Sequence, residues 1–105
     1  MPFPPEKRDY RITLNNAKAE TKRFRDAQPA NATRGGAFPS ECFEAILKQP
    51  GCKGIRIYYG KAATGEMSLV MVGVDDDGND MTSGEMIENH FPCPPFCDKN
   101  GELGQ

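Results

Sequence analysis

The chain is poor in the features that mark membrane, secreted and enzymatic proteins. No apolar run approaches the roughly 20 residues that a membrane helix requires, and Met1–Arg11 (MPFPPEKRDYR) has no apolar stretch of the kind a secretory leader carries. These two absences predict a cytoplasmic protein without membrane contact, in a compartment where thiols stay reduced. His90 is the single histidine, with no sequence-local Ser or Asp partner of the triad kind. Gly35-Gly36 lacks the Gly-Lys-Ser/Thr that makes a phosphate loop. No catalytic residue is predicted. Repeats and dividing linkers are absent too, so the 105 residues read as one domain. Residues 1–11 form an extended proline-rich arm of that domain, and residues 91–105 an extended tail rich in proline and cysteine. With 9 Pro and 11 Gly against 37% apolar residues, many turns and a small core are expected.

Charge is present but unevenly spread. Residues 1–34 carry eight Lys/Arg against four Asp/Glu, and residues 35–105 carry five against eleven, for a net charge of −2. A basic end can mark a nucleic-acid surface; two solvated surfaces are the simpler reading.

Gly54–Val74 organises the rest. Its two β-branched and aromatic runs, joined by Lys61–Met67 with Gly60 and Gly65, predict an antiparallel hairpin. In the first run Ile55, Ile57 and Tyr59 alternate with Arg56 and Tyr58. The second, Leu69–Val74, is apolar on both faces and reads as a central strand covered on both sides. Before it, Leu14, Ala17, Thr21 and Phe24 recur at helical spacing after a capping Thr13 or Asn15, predicting a helix over Thr13–Asp26 that stops ahead of Pro29. Arg11, Lys18, Lys22 and Arg25 fall within about a 60° arc of that helix. They are the wet face of an amphipathic helix or a basic stripe. Pro29–Phe38 reads as loop. Ser40 is the expected cap of a second helix, Ser40–Lys48, with Phe43, Ile46 and Leu47 inward.

After the hairpin, Asp75–Asp80 has turn chemistry and leads to a short strand around Asp80–Thr82, with one helical turn expected within Glu85–Asn89. Asp75, Asp77 and Asn79 imitate the start of a calcium loop, but Asp80 stands where that loop needs Gly and Met86 where it needs Glu. The fold class is therefore α+β: two helices on a small antiparallel sheet built around the hairpin. The tail or a second copy is expected over the sheet's other face. The tail is expected to lie over the hairpin with Phe91 and Phe96 buried and Cys52 nearby, and Gly101–Gln105 to fray.

Gly51-Cys52-x-Gly54-Ile55-Arg56-Ile57-Tyr58-Tyr59-Gly60, Leu69-Val70-x-Val72-Gly73-Val74-Asp75, Gly78-Asn79-Asp80 and Pro92-Cys93-Pro94-Pro95-x-Cys97 together resemble a family of small uncharacterised bacterial proteins. The resemblance implies a single-domain bacterial protein in which hairpin and cysteine-proline tail occur together. It implies no activity and no catalytic residue.

Two constellations offer chemistry. His90, Cys93 and Cys97, with Cys52 completing the set, supply the four soft ligands of a zinc site. The Cys-x-x-x-Cys spacing with two prolines inside departs from the usual knuckle. A Cys93–Cys97 or Cys52–tail disulfide, and reduced cysteines packed as small apolar groups, are the other readings. On the hairpin's outward face, Arg56 and Tyr58 suit a contact surface. The leading functional expectation is a non-catalytic interaction module without cofactor, binding a protein partner or itself. Its alternative is a thiol or zinc protein using the C-terminal cluster. Nucleic acid is not an expected partner, since the helical stripe has no aromatic residues among its cations.

Overall fold

The structure is a computed structural model describing residues 2–104; Met1 and Gln105, at the ends of the predicted arm and tail, lie outside the described residues. It contains two helices and two small antiparallel sheets, one of them including a long hairpin, an α+β fold. No described helix is long and apolar enough to cross a membrane. The chain divides into two compact units.

The first unit comprises residues 2–8 and Phe38–His90. Its sheet has the order β2-β3-β4, from strands β2 (Gly54–Lys61), β3 (Met67–Val74) and β4 (Met86–Ile87). β3 is the central strand, as its two-sided apolar sequence predicts, and Met71, Val72 and Val74 are buried on it. β2 pairs with β3 without interruption from Gly54↔Val74 to Lys61↔Met67. The connection closes with the Ala62 N–H donating to the Glu66 carbonyl at 2.8 Å and Gly65 at φ 93°, a left-handed position that favours glycine.

That closing bond sets the phase of the ladder. Hydrogen bonding alternates along an antiparallel pair, so Gly60, Tyr58, Arg56 and Gly54 exchange bonds with β3. The backbone groups of Ile55, Ile57, Tyr59 and Lys61 point away from it. The same phase recurs on the far side of β3, where the Met81 N–H donates to the Gly73 carbonyl at 2.8 Å.

Residues paired directly across the ladder share a face. One face carries Ile55, Ile57, Tyr59, Leu69, Met71 and Gly73. At its Gly73 end the space a Cβ would take is met by Cys52 Sγ at 3.0 Å, Gln49 Nε2 at 3.1 Å and Met81 Sδ at 3.2 Å, a close approach that explains a glycine inside a buried strand. Gln49 follows helix α2 (Ser40–Leu47), which packs on β2 and β3. It ties the unit together by donating to the Ile46 carbonyl and accepting from the Glu85 N–H, both at 2.8 Å.

Several expectations need correction here. Ser40 does not cap α2; Pro39 occupies that position, and Ser40 is the first helical residue. Of the predicted inward residues only Ile46 is fully buried, whereas Phe43 and Leu47 are exposed. The covered stripe runs through buried Ile46 and half-buried Cys42, Ala45 and Gln49 instead. Asp80 makes one isolated bridge to Val74 rather than starting a strand. The strand lies at Met86–Ile87, where a helical turn was expected, because Met71 and Val72 offer it a free ladder edge. On the opposite face Phe3 of the arm fills the space beside Gly54, its ring 2.9 Å from the glycine's Cβ position, and its N–H donates to the Asp76 carbonyl at 2.8 Å.

The second unit comprises Asp9–Ala37 and residues 91–104. Helix α1 (Leu14–Asp26) is capped by Thr13, whose hydroxyl accepts from the Asn16 N–H at 3.2 Å. It ends at Asp26 ahead of Pro29, as predicted. The segment expected to be pure loop contains β1 (Gly35–Ala37), which pairs antiparallel with β5 (Phe91–Cys93) of the tail. Phe91 and Phe96 are not buried. They are 47% and 61% exposed and stack edge-to-face at 5.3 Å. The residues beyond Gly101 do not fray as far as they are described. Lys18 bridges Glu102 at 3.5 Å, Arg25 donates to the Leu103 carbonyl at 2.7 Å, and Arg34 donates to the Gly104 carbonyl.

Candidate functional site

Cys93 and Cys97 are joined in a disulfide with their Cα atoms 4.7 Å apart. The Phe96 N–H donates to the Pro92 carbonyl at 2.8 Å and folds the segment back on itself, which brings the two cysteines within bonding reach. A disulfide sulfur is not the thiolate that zinc binds. Cys52 is a free thiol, its Sγ 3.3 Å from the Gly54 carbonyl and against the Gly73 end of β3. Cys42 is the other free thiol. His90 is buried, its ring 5.9 Å from Phe38, and neither ring nitrogen has a hydrogen-bond partner among the described residues. Of the four predicted ligands, Cys52 and His90 belong to the first unit, and Cys93 and Cys97, joined to each other, to the second. Among the described residues no three His, Cys, Asp or Glu side chains gather as a metal ion requires.

Arg56 and Tyr58, by contrast, are brought together, and with a third residue the sequence did not single out. Both project from the same face of β2 and meet Asp80, which follows the Asp75–Asn79 turn. That turn is fixed by Asp75, whose carboxylate accepts from the N–H groups of Asp77 and Asn79, each at 2.9 Å. The Val74↔Asp80 bridge then places the Asp80 side chain on the face of Arg56 and Tyr58. One Asp80 oxygen accepts from the Arg56 guanidinium and the other from the Tyr58 hydroxyl. Arg56 also donates to the Gly78 carbonyl at 3.2 Å.

The Tyr58 hydroxyl, aided by the Arg56 guanidinium, holds the Asp80 carboxyl below its ordinary pKa. The bond to Asp80 in turn pushes Tyr58 and Arg56 above theirs. Each shift favours the form already engaged: anionic Asp80, neutral Tyr58, cationic Arg56. A neutral tyrosine and a paired arginine have no proton to exchange near neutral pH. The trio fixes the charge of this face and joins turn to strand.

The other face of β2 is bare toward the tip. Tyr59 is 80% exposed and Ile57 49%, while Tyr58 on the trio's side is 46% exposed. These three consecutive residues sit on the sheet's edge strand, with the backbone groups of Ile57 and Tyr59 turned outward. An open depression of about 570 Å³ lies in the same unit, lined by Lys48, Gln49, Ser83 and Glu85 among others. Gln49 already spans it, its side chain bonded to the Ile46 carbonyl and the Glu85 N–H.

No family model, curated protein or solved structure matches the chain.

Proposed function

We propose that the protein is a non-catalytic interaction module whose contact element is the outer edge of β2. One observation carries this reading: an eight-residue edge strand in unbroken register with β3 that exposes Ile57, Tyr58 and Tyr59 side by side. Aromatic residues beside arginine are characteristic of contact surfaces, and an open strand edge supplies a row of unpaired N–H and C=O groups. Natural edges are commonly guarded by charge, proline or a bulge. Here β2 has no proline and no bulge, and Asp80 neutralises its central charge, Arg56. Only Lys61, at the tip, stands guard. The expected partner is a polypeptide in extended conformation, paired by β-augmentation. The resemblance of the hairpin and cysteine-proline segments supports a bacterial origin; the free thiols Cys42 and Cys52 fit a cytoplasmic setting, whereas the Cys93–Cys97 disulfide is of a kind rare there. Nucleic acid remains an unexpected partner, because Lys18 and Arg25 are engaged with residues 102 and 103 and Lys22 with Asp26.

The test is panning of a library of extended peptides against dilute protein. Peptides with alternating apolar residues should enrich, and their binding should be lost in Tyr59→Pro, which removes one outward N–H without touching the β3 ladder. Failure to enrich any such peptide, or equal binding by Tyr59→Pro, would contradict the reading.

A further inference from the structure

Building on the edge-pairing reading, we infer that the occupant of the β2 edge is β2 of a second copy, paired antiparallel about a two-fold axis through Tyr58. The ladder phase restricts the choice. Only Ile55, Ile57, Tyr59 and Lys61 direct backbone groups outward, so a second strand must set odd residues opposite odd residues. Among two-fold registers obeying this rule, an axis at Ile57 sets Lys61 opposite Lys53, which lies before the strand, and an axis at Arg56 leaves both Tyr59 and Lys61 opposite residues before it. An axis at Tyr59 shortens the overlap and runs Ile55 into the turn. The axis at Tyr58 has none of these faults.

It pairs Ile57 with Tyr59 of the second copy twice over, Ile55 with Lys61, Arg56 with Gly60, and Tyr58 with itself. Aliphatic–aromatic pairs of this kind are favourable cross-strand neighbours. The most exposed apolar residues of β2, Tyr59 and Ile57, thereby become neighbours on one continuous six-stranded sheet. An isologous contact needs a surface complementary to itself, and this strand meets that condition in one register.

A strand-to-strand contact lies at the small end of specific interfaces, so dissociation constants of roughly 10 µM to 1 mM are expected. Sedimentation equilibrium from dilute to about 1 mM protein should show the mass rising from 11.6 kDa toward twice that value. Tyr59→Pro should stay monomeric while keeping its helix and strand signals. If that variant fails to fold, Tyr59→Lys takes its place and should weaken association at least tenfold. Oxidised Tyr58→Cys should cross-link to itself, with the joined peptides both containing position 58, whereas Arg56→Cys should not. A wild-type chain that stays monomeric throughout, or cross-linking through position 56 and not 58, overturns the inference. A monomer that still binds extended peptides on this edge removes the second copy and leaves the edge-pairing function; a monomer that binds none removes both.

Discussion

At Asp80 a single carboxylate holds two residues of β2, and the consequence is a defined dependence on pH. Its pKa is lowered by Tyr58 first and Arg56 second, so its contribution to stability is complete above the ordinary carboxylate pKa of about 4. That contribution fades as pH falls through the depressed value. The Tyr58 pKa is raised, so its share is complete below about 10, the ordinary tyrosine value, and fades as pH rises through the raised one. The melting-temperature difference between wild type and Asp80→Asn should therefore be constant from pH 5 to 9 and shrink below pH 4. A difference that persists unchanged at pH 2 would show that the carboxylate is not the anchor. His90 makes the opposite case. Its two buried nitrogens have no partner among the described residues, and burying unpaired polar atoms costs about 1–3 kcal/mol. His90→Leu should raise the thermal midpoint or leave it unchanged; a clear drop would mean the imidazole makes a bond that matters. Of the trio, Arg56 and Tyr58 were legible as outward residues of an alternating strand. Asp80 was not, because its role depends on the turn that carries the chain back across β3, and no spacing in the sequence states that distance.

Among the elements, those with a strong local cause were legible. Thr13 and Pro29 bracket α1 by cap and steric stop, and the two-sided apolar run of β3 demanded a place between neighbours. Elements formed only by pairing were not. Gly-Gly-Ala of β1 has no strand propensity and forms because β5 lies beside it. Two residues of β4 are too few for any periodicity to register. The same limit applies to Phe91 and Phe96, since apolar character does not say whether a residue is covered. Exposed as they are, Phe96→Ala should cost about 1 kcal/mol or less, the range of an aromatic pair on the surface. Chemical denaturation measures this, and a loss near 3 kcal/mol would require a burial the structure does not show. On α1, Lys18→Glu with Lys22→Glu removes two exposed ion pairs, each worth at most about 1 kcal/mol. Helix content should persist; its collapse would mean that residues 102–104 depend on Lys18 far more than an exposed pair allows.

At the scale of the molecule, stability of the first unit rests on few side chains, with Ile46, Met71, Val72 and Val74 forming its fully buried apolar set. Val72→Asp places an unpaired charge in that set, at a cost of several kcal/mol, and should abolish cooperative melting. A retained sharp melt would place Val72 outside the core. The same small core leaves the tip of β2 uncovered, and the proposed function rests on that edge. Residue-resolved amide exchange by NMR, run at low and high protein concentration, tests it most directly. The N–H groups of Arg56, Tyr58 and Gly60 should be protected at both concentrations, because they belong to the β3 ladder. Those of Ile55, Ile57, Tyr59 and Lys61 should exchange rapidly in dilute solution and become protected as concentration rises. Rapid exchange of these four at every concentration, with the alternate three still protected, would contradict pairing at this edge.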